Sequence, residues 1–139
     1  MARLPVWIAA LWWGSLTTIG FLVVPLLFMY LPTPALAGGM AGKLFAAQTW
    51  VSVLCGAGLL LQMTLTQSRS MAVAVTRAVA VIVLIGMVLA LLSEWVVAPQ
   101  IVARENLRFW HSLGSVMYVL QWLCATATCW KLMSPRQMV

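Results

Sequence analysis

Glu94 and His111 are the residues whose chemistry stands out from the rest of the chain. Glu94 is one of two acids, and His111 is the single histidine. A carboxylate inside hydrocarbon is costly and by default marks a proton, ion or ligand path. An imidazole beside it exchanges protons near neutral pH. The two residues flank a connection centred near Val102–Ala103 at almost equal distances. A helical hairpin would therefore place them at similar depth, within about two turns of the outer surface. Gln48 begins an apolar stretch at that same surface, and Ser115 and Tyr118 share the His111 face at helical spacing. The candidate constellation is Gln48, Glu94, His111, Ser115 and Tyr118, with Arg104 and Arg108 close above as charge partners. Two readings stay open for it. One is the handling of a proton or metal ion; the other is a salt bridge from Glu94 to Arg104 or Arg108 that closes the hairpin.

Other chemistries are narrowed by residue type and spacing. One histidine excludes a bis-histidine haem within one chain. His111 with a methionine, or one His111 from each of two chains, leaves haem open. Copper handling through Met, Cys and His is a further option, with Met87 on the Glu94 face. The three cysteines, Cys55, Cys124 and Cys129, form no CxxC pair and sit in apolar runs. They read as small packing residues rather than a zinc or disulfide framework. No Ser-His-Asp arrangement or HExxH motif occurs. Gly38-Gly39-Met40-Ala41-Gly42 lacks the Lys-Ser/Thr ending of a phosphate loop and reads as a flexible turn. Ser52, Gln62 and Gln121 read as interhelical hydrogen-bonding residues, each bond contributing about 1 kcal/mol or less.

The elements that carry these residues follow from composition. The chain has 139 residues, 64% hydrophobic and 7% charged, with mean hydropathy +1.04. Soluble domains carry roughly 25% charged residues, and a small fold cannot hide so much apolar surface. A soluble enzyme, a disordered protein and a disulfide scaffold are all excluded. The net charge of +6 comes from basic residues scattered singly, so no stripe tracks a nucleic acid. The partner that this charge pattern fits is the lipid bilayer.

Four apolar stretches are long enough to span it, at about 20 residues per span. They cover 6–31, about 44–66, about 73–98 and 109–132. Short connections predict a single all-α domain over 1–139, an integral membrane four-helix up-down-up-down bundle. Ala35-Leu36-Ala37 imitates a signal-peptidase site, but the first stretch exceeds a signal core, so an uncleaved helix is expected. Arg3, Arg69, Arg77, Lys131 and Arg136 fall on one side; Lys43, Arg104 and Arg108 fall on the other. This bias predicts that both termini face the cytoplasm. Trp7 and Trp130 are expected at one interface, and Trp50, Trp95 and Trp110 at the other. Trp12, Trp13 and Trp122 are expected to pack deeper.

Helical periodicity also assigns faces. Helix one offers Ala10, Gly14 and Thr18 as a small stripe for close approach, with Pro25 bending its outer end. Helix two turns Gln48, Ser52, Cys55 and Gln62 inward. Helix four turns His111, Ser115, Tyr118, Trp122 and Cys129 inward, and Phe109, Leu113, Val116, Leu120 and Leu123 to lipid.

Gly20-Phe21-Leu22-Val23-Val24-Pro25-Leu26-Leu27-Phe28 resembles the helix-one signature of an uncharacterised bacterial family of small four-helix membrane proteins. Ala37 to Phe45 is similar to that family's start of helix two. Val97-Ala98-Pro99, then Arg108-Phe109 with His111 and Ser115, is similar to its last motif. The family resembles, more distantly, a eukaryotic group of transmembrane proteins. The resemblance implies fold and membrane location, and no chemistry.

Two functional readings follow. One is a non-enzymatic bacterial inner-membrane protein that binds or passes a small species, a proton or metal ion, or serves as an accessory subunit of a larger complex or homo-oligomer. The other is a membrane redox subunit that binds haem or quinone near the periplasmic surface.

Overall fold

The computed structural model describes residues 3–66, 73–104 and 106–134. Among them every regular element is helical. The first rod, Leu4–Tyr30, consists of α1 (Leu4–Thr17), a π turn (Thr18–Val23) and α2 (Val24–Tyr30). The second is α3 (Pro34–Thr66). The third joins α4 (Val73–Leu92), a second π turn (Ser93–Val97) and α5 (Ala98–Val102). The fourth is α6 (Leu107–Met133). Arg69 and Arg136, used above for orientation, lie outside the described residues.

Among the described residues three helices are long and apolar enough to cross a membrane: Leu4–Tyr30, Pro34–Leu65 and Thr76–Val102. At 27 residues α6 is long enough as well. Its Ser, Thr, Gln and His side chains make it the more polar helix.

Both π turns have one local cause. Each ends two residues before a proline, Val23 before Pro25 and Val97 before Pro99. Proline lacks an N–H and its ring presses on the carbonyl four residues back. Widening the preceding turn relieves that clash without breaking the helix. For this reason the third rod continues through Pro99 to Val102, beyond the end near 98 that its apolar stretch predicts.

The second helix also departs from expectation. It begins at Pro34, so Gly38 to Gly42 is helical and not a flexible turn. Pro34 suits a first helical position, where a donor is not needed. Ala37 and Ala41 are buried, and α2 packs against this part of α3. Small residues let the two backbones approach closely. One consequence is that Trp50 lies near the middle of α3, 58% exposed, and not at an interface.

The core draws on all four rods: Ala9, Trp12 and Leu16; Cys55 and Leu59; Val79 and Val83; Ala125 and Cys129. The first rod packs on α3 and α6, and α4 packs on α3 and α6. On helix one the inward stripe is therefore Ala9, Trp12 and Leu16, not Ala10, Gly14 and Thr18. A Cβ on Gly14 would meet nothing within 4 Å. Close approach is needed elsewhere. Trp12 fills the centre, and a Cβ on Gly86 would come within 2.6 Å of its indole ring. Gly56 likewise lies under Met87. The glycines that matter sit on the helices facing the bulky residues.

Candidate functional site

Polar side chains meet where the helices are most apolar. Ser15, Gln48, Ser52 and Gln121 each lie within about two residues of the midpoint of their helix. At about 1.5 Å rise per residue this puts all four near mid-depth. Gln48 Nε2 donates to Ser15 Oγ at 3.0 Å and, more weakly, to Ser52 Oγ at 3.4 Å. Gln121 Nε2 donates to the same Ser52 oxygen at 2.9 Å. The network thus ties helices one, two and four, and Gln48, Ser52 and Gln121 are all buried. It contains no charge.

Two atoms in this region lack a partner in the protein, Gln48 Oε1 and Trp12 Nε1. A buried polar atom left without a hydrogen bond costs about 1–3 kcal/mol. The core beside it is mainly apolar, with Trp12, Leu59, Val83 and Ala125 next to Cys55 and Cys129, and the buried Thr128 hydroxyl donates to Cys124 O within its own helix.

Above the network, Tyr118 docks on the first π turn. Its hydroxyl donates to Leu16 O at 2.8 Å and lies against the Gly20 amide. An α-turn would bond those two backbone groups to each other. The Tyr118 ring occupies the space that a Gly20 side chain would need, and it meets Phe45 edge-on at 5.2 Å between centroids. One turn on, Trp122 Nε1 donates to Thr17 Oγ1 at 2.9 Å.

The contacts between α4–α5 and α6 set the relative heights of Glu94 and His111. Gly86 packs on Cys124, and Gly114 on Val97, so numbers fall along one helix as they rise along the other. That register puts Glu94 level with Val116 and Met117, and His111 level with Pro99 and Gln100. The pair is separated by about six residues, roughly 9 Å along the axis. Expecting equal depth assumed a symmetric hairpin, whereas the contacts pair the end of the third rod with residues further along α6. Among the described residues no ion pair joins Glu94 to His111, Arg104 or Arg108.

Of the residues singled out from sequence, Gln48 enters the buried network and Tyr118 caps it. Glu94 is half-buried in the second π turn, at nearly the height of Tyr118. His111 and Ser115 are exposed, and the Ser115 hydroxyl returns to His111 O at 2.9 Å within its own helix. They do not join the interior. The buried stripe of α6 runs through Met117, Gln121, Ala125 and Thr128, centred on the face that packs Gly114 against Val97. His111 and Ser115 lie to its side. Arg104 and Arg108 are exposed, and Arg104 has a left-handed backbone, φ 57°. Periodicity missed Ser15, Thr17 and the unpaired indole of Trp12. A usable signal was present for Ser15, a polar residue inside an apolar stretch, whereas Gln48, expected at the outer surface, lies near mid-depth because α3 starts at Pro34.

Among the described residues no three His, Cys, Asp or Glu side chains gather where they could hold a metal ion. The interior donor set is made of hydroxyl, amide and indole groups, which suit a neutral guest.

An all-helical chain with apolar helices of membrane-crossing length and a neutral polar centre is a helical membrane protein. The chain belongs to the DUF4149 family, a domain of unknown function, whose model matches residues 7–109. The matched stretch takes in nearly all of the first three rods and stops before His111. No curated protein and no solved structure matches the chain.

Proposed function

We propose that the chain crosses the bacterial inner membrane four times, as an up-down-up-down bundle with both termini in the cytoplasm, and holds a small species at mid-depth. The cyclic packing of the four rods supports the bundle, as do the level contacts between neighbours. Ser15 meets Gln48 while Ile8 meets Gly58, so helices one and two run in opposite senses. The observation that carries the binding role is the buried Ser15–Gln48–Ser52–Gln121 network with its two unpartnered polar atoms. Mainly apolar packing beside it favours binding over passage. The test is a pH gradient held across vesicles containing the purified protein. Proton leak should equal that of empty vesicles, and a gradient that collapses faster would reverse the assignment to passage.

A second reading, a redox subunit, draws on the exposed position of His111. An outward imidazole on α6 suits ligation between two copies, one His111 from each, and not within one bundle. An absorption spectrum of the purified protein decides its haem form: a Soret band establishes haem, and its absence removes haem and leaves quinone as the only redox guest to be sought, by solvent extraction.

A further inference from the structure

The four rods share a core only in their inner part. Beyond Leu16 no residue of the first π turn or of α2 is buried, and none of α5 is. On α6 the first buried residue is Met117. The outer ends pack in pairs, α2 on α3 and α5 on α6; among the described residues neither α2 on α6 nor α5 on α3 packs comparably. Two faces show this parting. On α3, Gly56 lies under Met87 of the third rod. Gly42, about four turns further out on the same side and level with Ile101, is exposed, and a Cβ there would meet nothing within 4 Å. On α6, Tyr118 and Trp122 reach helix one. His111 and Ser115 lie two turns out from them on the same face, with about 20° of drift, yet both are exposed. Trp110 and Gly114, on the side toward α5, are half-buried.

We propose that the diverging pairs enclose a water-filled vestibule, running from the outer face down to Tyr118, through which a small water-borne polar guest reaches the mid-depth network. This inference rests on the reading of the network as a binding site and adds its route of entry. The walls carry the polar groups that hydrocarbon would leave unsolvated: His111, Ser115 and Glu94. Glu94 is half-buried, one turn beyond the buried Ala90 and at nearly the height of Tyr118. Ionisable groups at membrane depth face a bundle interior or water. No ion pair holds Glu94 among the described residues, so water is the partner that its depth requires. The floor is Tyr118, fixed by Leu16 O and Phe45, with Gln121 of the network one turn further in. Both π turns lie at this height, and the proline after each redirects the rest of its rod. A lipid chain would ask for apolar walls.

The test is labelling of the full chain by a charged thiol reagent that does not cross membranes. Open membrane fragments expose both faces, which makes the result independent of orientation, and alanine replaces Cys55, Cys124 and Cys129. Such reagents attack the thiolate, which forms in water and not in hydrocarbon. Ser115 and Val116 are both exposed and lie at one depth, but on different sides of α6. Ser115→Cys is expected to react about tenfold or more faster than Val116→Cys. Glu94→Cys is likewise expected to outpace Val96→Cys, although Val96 is nearer the outer surface. Equal rates in either pair overturn the vestibule and leave the network reading standing. Ser115→Cys, which exchanges one atom, keeps the test available if Glu94→Cys does not fold. The vesicle gradient is a separate measurement: a leak reverses the binding reading and leaves the labelling result as it is.

Discussion

The Tyr118 hydroxyl, carried on the fourth helix, donates at 2.8 Å to the Leu16 carbonyl of the first. It enters the backbone ladder at the point where a π turn has loosened it, and Gly20 leaves room for the ring. A bond between helices thereby takes the place of a bond within one. Tyr118→Phe should lower unfolding stability in detergent by about 1 kcal/mol, because the carbonyl keeps no equivalent donor. The Phe45 contact survives in that variant, so the loss isolates the hydroxyl. No change in the unfolding midpoint would mean that the backbone re-forms its own bond.

Gly86 faces the Trp12 ring so closely that a methyl group has nowhere to go. Gly86→Ala is expected to cost about 1–3 kcal/mol through overpacking. Gly14→Ala should be neutral to stabilising, by up to about 1 kcal/mol, since its new methyl meets open space and alanine is the better helix former. Trimming the ring with Trp12→Phe should recover part of the Gly86→Ala loss, giving a combined cost smaller than the sum. Chemical unfolding of the four variants checks the ordering.

Ser52 accepts from two amides, whereas Gln121 makes one of those bonds. Ser52→Ala strands the Gln121 amide nitrogen and should cost about 1–3 kcal/mol. Gln121→Leu removes a donor while Ser52 keeps the Gln48 contact, so its cost should be lower. The reverse order in equilibrium unfolding would place the strain of the network elsewhere.

The proposed orientation has its own check. A reporter active only in the periplasm should give signal when inserted near Thr33 and none when fused after Val139. Swapped signals would invert the bundle without altering its packing.

Much of the second helix was legible. Gln48, Ser52 and Cys55 are buried, as a 3.6-residue period requires, because α3 runs unbroken from Pro34 to Thr66. On α6 the inner half also agrees, with Cys129 buried and Tyr118 and Trp122 half-buried against helix one. Its outer half does not, since periodicity fixes which residues share a face but not where that face points. The contact of Gly114 with Val97 sets the direction and leaves His111 outside. Helix one misled for a different reason. A stripe of small residues suggested close packing, yet burying the large Trp12 removes more apolar surface and takes its clearance from Gly86 across the core. The start of α3 was obscured by glycines, whose low helix propensity is overridden by packing at Ala37 and Ala41.

The two π turns also divide their rods by phase. A π turn holds about one residue more than the α-turn it replaces. One residue is worth about 100° of rotation, so side chains beyond Val23 and Val97 are turned by that amount from a continuous α-helix. Any alignment of helix one or three with a relative lacking the proline must open a one-residue gap inside 18–23 or 93–97. Without that gap Pro25 and everything after it would be matched to the wrong face, although every residue on the near side would still agree.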